Sequence, residues 1–330
     1  MCILRSGIEL DDADRALIGE LQQDGRMPFV ELARKLGISE RTARSRVSGL
    51  LENGVIHVVA LTNPRALGFN AICLLGVTTD PAVPVSQIAK EIARVSDVDY
   101  VVVTTGRYGI IVEVISTDRA AMLKTIETRI GTIAGIRSIE IFPGLSLYYQ
   151  KARFLAGMQG ATGVRTTLLP ETDRQIALTL STNGRMPFRA VAERVGISET
   201  QVRARVSSML ETRQMSILAI MNPLAFPERC VAWVGMKIAP GSRSQEVADA
   251  ISHEDTVSYV VISGGRFDLF VELICENEEH LHQVLESRIR AIPQISSFEI
   301  FIYLDLHYKV LGVAHPPQNG AGGTALEKAL

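Results

Sequence analysis

The sequence predicts an α+β protein built from two copies of one module, a three-helix head followed by a βαββαβ layer. Three observations predict it. A stretch near residue 25 recurs near residue 184 at an offset of 159 and stays in step along most of the chain. From Asp24 to Glu52, about 16 of 29 positions are identical in the second copy. Downstream of each such stretch, the apolar pattern changes from helical to strand-like periodicity. The offset is too long for a solenoid unit, so a whole module is duplicated.

The repeat is easily followed. Gly25-Arg26-Met27-Pro28-Phe29 returns as Gly184-Arg185-Met186-Pro187-Phe188, and Gly37-Ile38-Ser39-Glu40 as Gly196-Ile197-Ser198-Glu199. Asn63-Pro64 matches Asn222-Pro223, Tyr100-Val101-Val102 matches Tyr259-Val260-Val261, and Gly106-Arg107-Tyr108 matches Gly265-Arg266-Phe267. The modules divide into a head over 8–62 and an αβ-sandwich over 63–150, then a second head over 168–221 and a second sandwich over 222–312. A Gly/Ala/Thr-mixed linker, KARFLAGMQGATGVRTT at 151–167, joins them. A Pro- and Gly-rich tail over 313–330, rich in those residues from His315, is expected to fray.

In the first head, Ala13, Leu17, Ile18 and Leu21 form a helical stripe within 12–24. Pro28 suits the first turn of a second helix, 29–36, because its missing N–H would be unpaired there anyway. Gly37 ends that helix, and Ser39 caps a third that runs to about Leu51. Two short helices joined by a Gly-containing turn behind a first helix make a helix-turn-helix. Residues 55–61, VIHVVAL, and their counterpart 215–221 are β-prone and are expected to add a wing strand to each head.

At 100° per residue, Ala43, Val47 and Leu50 turn inward on the third helix. Arg41, Arg44, Ser45 and Ser48 turn outward, with Arg46 on the flank. Guanidinium groups beside short hydroxyl residues suit the major groove of double-stranded DNA, where arginine reaches guanine or phosphate. The second face reads Thr200, Arg203, Ala204 and Ser207, with Arg205 on the flank and Ser198 as the cap. The DNA-facing set is therefore Ser39, Arg41, Arg44, Ser45, Arg46 and Ser48, with Ser198, Thr200, Arg203, Arg205 and Ser207. A bundle whose Arg/Ser face is merely solvated is the plain alternative, and recurrence of Arg44/Arg203 and Arg46/Arg205 weighs against it.

The first sandwich reads as strand 71–78, helix 83–95, strands 98–104 and 110–116, helix 118–133, and a last strand or strand pair over 138–142 and 145–149. This is the ferredoxin-like split-βαβ order. One sheet face stays open, so face-to-face packing of the two copies is expected. The loop between the central strands offers unblocked backbone N–H groups beside a cation at Gly106, Arg107 and Tyr108, and again at Gly265, Arg266, Phe267 and Asp268. That chemistry suits a small carboxylate or zwitterion, with Asp268 free to accept from an ammonium group. Gly109 stands where the second copy has Asp268, so the first site lacks that acceptor. For either loop alone, a tight hairpin needing glycine is the plainer reading.

Composition narrows the function. The 34 basic and 36 acidic residues leave a net charge of −2, which rules out a polycation but not a local basic face. Four cysteines, Cys2, Cys73, Cys230 and Cys275, lie far apart without CxxC spacing, so neither a disulfide framework nor a metal site is expected, and no cofactor is called for. They read as buried free thiols in a reducing compartment. The first residues turn acidic too soon for a signal peptide, and no apolar run is long enough to span a bilayer. A cytoplasmic, nucleoid-associated location follows. None of the six histidines recurs between copies, and His57 reads as a surface residue.

With head, Asn-Pro junction, βαββαβ layer and Gly-Arg-aromatic loop in this order, the chain resembles the Lrp/AsnC (feast/famine) family over nearly its whole length, twice. GRMPFVELARKLGISERTARSRVSGLLENGVI and GRFD at 265–268 carry the resemblance. It implies a non-enzymatic transcription regulator that binds a pseudo-palindromic operator and responds to an amino acid or related metabolite at the loop. It also implies that one chain is a covalent pseudo-dimer that associates further into homo-oligomers. Two alternatives share the architecture. One is an enzyme like the siroheme decarboxylases, which need His and Arg for tetrapyrrole carboxylates. The other is a sensor or interaction protein with vestigial heads.

Overall fold

The computed structural model describes residues 10–150, 168–226 and 228–308. The expected linker 151–167 and tail 313–330 lie outside them, as do Cys2 and His315. Among the described residues no helix is long and apolar enough to cross a membrane.

Each head forms as its caps dictate. Helix α1 (Asp12–Gln23) starts at Asp11, whose carboxylate accepts from the Asp14 N–H, and buries Leu17, Ile18 and Leu21. Helix α2 (Phe29–Leu36) ends at Gly37 with φ 66°, and α3 (Glu40–Glu52) is capped by Ser39 and buries Ala43, Val47 and Leu50. The second copy repeats this as α6 (Glu171–Thr182), α7 (Phe188–Val195) and α8 (Glu199–Glu211). Ser198 and Gln201 there make a full capping box.

The strands expected as wings pair with each other. β1 (Ile56–Thr62) and β7 (Met215–Met221) form an antiparallel two-stranded ribbon from Ile56↔Met221 to Thr62↔Met215. One apolar core therefore serves both heads, with Leu17, Leu32 and Val47 joined to Ile176, Val191 and Val206. The glycines of the repeated motif allow this approach. The Gly25 N–H donates to the Ile217 carbonyl at 2.9 Å and the Gly184 N–H to Val58 at 2.7 Å. A Cβ at Gly25 would stand 2.8 Å from the Leu218 Cα.

The βαββαβ elements are β2 (Ala71–Thr79), α4 (Val85–Ala93), β3 (Val98–Thr104), β4 (Ile110–Ser116), α5 (Arg119–Thr125), β5 (Ile136–Pro143) and β6 (Ser146–Gln150). Their counterparts are β8 (Cys230–Ile238), α9 (Ser244–Ser252), β9 (Val257–Ile262), β10 (Leu269–Cys275), α10 (Glu278–Val284) and β11 (Ile295–Tyr308). The helix expected over 118–133 is shorter than its pattern, giving way to a widened turn at 126–130. The same change recurs at 285–289.

The two sheets do meet face to face, through Leu74, Tyr108, Phe142, Trp233, Phe267 and Phe301 among others. Their edges also cross over. β11 pairs first with β8 of its own copy and then, from Tyr303, with β3 of the other. β5 pairs with β2, but β6 pairs with β9. The order β5-β2-β4-β3-β11-β8-β10-β9-β6 begins and ends on consecutive strands, so the short turn between β5 and β6 carries the chain from one end of the sheet to the other, as β11 does within it. Helices cover the outside over two further cores, one per copy.

Inside the barrel, the Tyr108 ring lies on Gly76 and the Phe267 ring on Gly235, where a Cβ would meet ring carbons at 2.7 and 2.8 Å. Phe267 is fully enclosed among Phe142, Phe270 and Phe301 and cannot swing aside. Gly235→Ala is therefore expected to destabilise the chain by ~1–3 kcal/mol through overpacking, read as a lower Tm. An unchanged Tm would contradict this packing.

Candidate nucleic-acid interface

The two third helices present different but corresponding faces. Arg41, Arg44 and Ser45 are exposed on α3, and Thr200, Arg203, Ala204 and Ser207 on α8, while Ser48 is half-buried. Arg44 pairs with Glu40 at 2.8 Å and its guanidinium lies 4.5 Å from the Phe29 ring centroid. Arg203 repeats this with Glu199 at 2.9 Å and Phe188 at 5.2 Å. Such exposed i,i+4 pairs are weak and leave the guanidinium free to turn to a phosphate or base.

The other sequence-predicted residues have work inside the head. Arg46 donates to Asp11 at 2.8 Å and to Asp14 at 2.9 Å, tying α3 to the start of α1. The bond to Asp14, with that to Asp11, holds the guanidinium above its ordinary pKa. Arg205 bonds Asp173 at 2.8 Å in the same way. Ser39 and Ser198 are committed to their helix caps. A helical wheel places these residues near the groove face but cannot show which already have partners.

Sequence reasoning quoted Arg26 and Arg185 as part of the repeat without assigning them a role. The Arg26 Nη1 donates across the seam to the carbonyls of Gly184 at 2.5 Å and Met186 at 3.1 Å. Arg185 reciprocates to Gly25 at 2.8 Å and Met27 at 3.1 Å. Each guanidinium lies over the other head's phenylalanine, Arg26 at 4.1 Å from Phe188 and Arg185 at 4.5 Å from Phe29. Burial lowers both pKa values, and their mutual repulsion adds to the shift at Arg26.

The hairpin loops sit at the seam between the two sheets. Gly106 and Gly265 have φ of 91° and 104°, as a tight turn requires. Tyr108 and Phe267 point into the barrel core. Arg107 pairs with Glu299 and Arg266 with Glu140, each across copies, at 3.1 and 3.2 Å. The Tyr108 hydroxyl also donates to Glu140, at 2.5 Å. Asp268 is not free, as the sequence suggested. Lys237 Nζ donates to it at 2.8 Å and the Ile238 N–H at 2.9 Å. In the first copy Thr78 and Gly109 stand at these positions, so the pair is missing as a unit.

A family model of the AsnC-type helix-turn-helix domain matches residues 10–51 and 169–210. A second, the PF0864 C-terminal dimeric alpha+beta barrel domain, matches residues 79–156 and 243–312. The chain is 36% identical over 134 residues to the uncharacterized HTH-type transcriptional regulator PH0140 of Pyrococcus horikoshii, spanning 40% of this chain and 84% of that one. The chain belongs to the Lrp/AsnC family. Another relative is HTH-type transcriptional regulator LrpA of the same organism, 30% identical over 39% of this chain and 92% of its own. The crystal structure of the siroheme decarboxylase NirDL covers 91% of this chain and 93% of its own at TM-score 0.57 and 17% identity, which shows a shared fold.

This Lrp/AsnC chain also holds a polar group that sequence reading missed. Glu113 and Glu272, at equivalent places in two otherwise apolar strands, are both buried inside the barrel. Tyr259 donates to Glu113 at 2.6 Å and Tyr100 to Glu272 at 2.7 Å, each across copies, and Tyr303 of its own copy donates to Glu272 at 2.5 Å. Ser258 also bonds Glu272. The available signal was a lone acid in the apolar runs IIVEVIS and LFVELIC. The thiols of Cys73, Cys230 and Cys275 are buried, as expected, with burial pushing Cys73 and Cys275 up to about 12. His57 is half-buried on β1, not a surface residue.

Burial, with a contribution from Glu272, pushes the Glu113 carboxyl up to about 7. The folded chain thus binds a proton more readily than the unfolded one, so this group's stabilisation is complete at acid pH and is lost as pH rises from about 4.5 through 7. Glu113→Gln is expected to flatten that loss, with its Tm relative to the parent chain higher at pH 8 than at pH 5. An identical pH profile for variant and parent would contradict it.

Proposed function

We propose that the chain is a sequence-specific, DNA-binding transcriptional regulator of the Lrp/AsnC type and not an enzyme. The observation that carries this reading is the pair of exposed arginine-bearing helix faces on two heads that share one core. Arg41, Arg44 and Ser45 read one half-site and Thr200, Arg203 and Ser207 the other. The partner is double-stranded DNA with a pseudo-palindromic operator whose halves differ, since Arg41 and Ser45 are replaced by Thr200 and Ala204 at the equivalent positions of the other copy. Arg46 and Arg205 brace their heads, and their contribution to DNA binding is through that support. We assign the chain to the cytoplasm, at the nucleoid, and to homo-oligomers of this intramolecular pseudo-dimer.

The effector in this proposal is an amino acid or related metabolite at the loop of Gly265, Arg266 and Asp268. The Lys237–Asp268 pair supports it, because an ammonium already satisfies Asp268 and a ligand's ammonium can replace it. Gly106 and Arg107 offer the first copy only backbone and guanidinium contacts. Tyr108 and Phe267 anchor the loops from below. The decarboxylase alternative has the shared architecture behind it, but the faces between the two sheets are filled by packed aromatic rings.

The reading is tested by gel shift with DNA selected by the chain from a random pool. Arg44→Ala and Arg203→Ala are each expected to weaken binding by ~1–3 kcal/mol without lowering Tm. Absence of any salt-sensitive shift at every protein concentration would sink the regulator reading. A thermal-shift screen of amino acids should find one that raises Tm, and Asp268→Ala should lose that shift. Turnover of siroheme under anaerobic conditions would favour the enzyme instead.

A further inference from the structure

We infer that Arg26 and Arg185 set the separation of the two recognition helices, so that one chain reads a two-part DNA site of a single fixed spacing. The inference rests on the DNA-binding reading above and adds a specificity rule to it. Three features tie α3 and α8 into one rigid body. The β1–β7 ribbon and the shared core join the heads behind the helices. Reciprocal glycine N–H bonds bring the Gly25 and Gly184 turns against the ribbon. The arginines complete the link at the front, each bridging two carbonyls of the opposite turn.

The link reaches the reading helices through the rings. Phe29 lies between Arg185 of the other head and Arg44 of its own α3. Phe188 lies between Arg26 and Arg203 of α8. A rotation of one head against the other would break four carbonyl bonds and separate both stacks. A planar guanidinium that bridges two acceptors and stacks on a ring fixes direction as well as distance, which an ammonium does not. The heads are therefore braced against the change in spacing by which an effector could act.

Half-sites read by such a pair lie one helical turn of DNA, or a multiple, apart. The test uses the full chain and the duplex it selects from a random pool. One, two and five base pairs are inserted between the half-sites. The parent chain is expected to lose about tenfold or more in affinity on insertion of two base pairs, which turns one half-site by roughly 70° at 10–10.5 base pairs per turn. In the Arg26→Met/Arg185→Met double variant, the stems still cover the rings but the carbonyl bridges are gone. Its penalty should fall below about threefold, with unchanged slope of affinity against salt because both guanidinium groups are already committed to carbonyls across the seam.

A double variant that keeps the full insertion penalty overturns the inference, as does one whose salt slope falls by about two. If the variant fails to fold, the parent chain still decides, since indifference to insertion overturns the fixed spacing. Failure of the DNA-binding reading looks different, because then no selected duplex gives salt-sensitive binding at all.

Discussion

Neither copy of the repeat can bury its own surfaces, and the structure depends on that constraint. A single head would leave β1 or β7 without a strand partner. A single αβ layer would leave one sheet face and two strand edges open to water. The chain meets both needs by the same device, with each copy completing the other about a pseudo-two-fold relation. The ribbon, the Gly-Arg turns, the crossed strands β6 and β11 and the reciprocal Tyr–Glu bonds all follow from it.

That arrangement also gives the molecule its asymmetry. Pairing two copies of one chain would make every contact twice. Here the copies have diverged within a shared frame. Glu140 receives both Tyr108 and Arg266, whereas Glu299 is paired with Arg107 and faces no tyrosine hydroxyl from Phe267. Lys237 and Asp268 are paired in the second copy, with Thr78 and Gly109 in their places in the first. The exposed faces of α3 and α8 differ at Arg41/Thr200 and Ser45/Ala204. A fused pair lets the two exposed helix faces and the two loops differ, which two identical subunits could not do.

Most local structure was legible because it is locally determined. Ser39 and Ser198 announce α3 and α8, and Gly37 and Gly196 end α2 and α7, so those boundaries follow from local residues. Strand partners were not legible, because a β-prone run such as 56–62 states that it is a strand and not what it pairs with. The same limit hid the crossing of β6 and β11. At the site, the exposed faces of α3 and α8 were readable from helical periodicity. The prior commitments of Arg46, Arg205 and Asp268 were not, since each partner is remote in sequence or carried on the neighbouring strand. Arg26 escaped because its acceptors are backbone carbonyls, which leave no trace in side-chain identity.

The central claim is that the two heads form one rigid reader. It is tested most directly by the distance between spin labels on α3 and α8, at Glu52→Cys and Glu211→Cys outside the proposed DNA-facing set, in a chain with Cys2 replaced by Ser. The three remaining cysteines are buried. The account predicts one narrow distance distribution, the same with and without DNA and with any amino acid that raises Tm. A broad distribution, or one whose maximum moves by several ångströms on ligand binding, would contradict it.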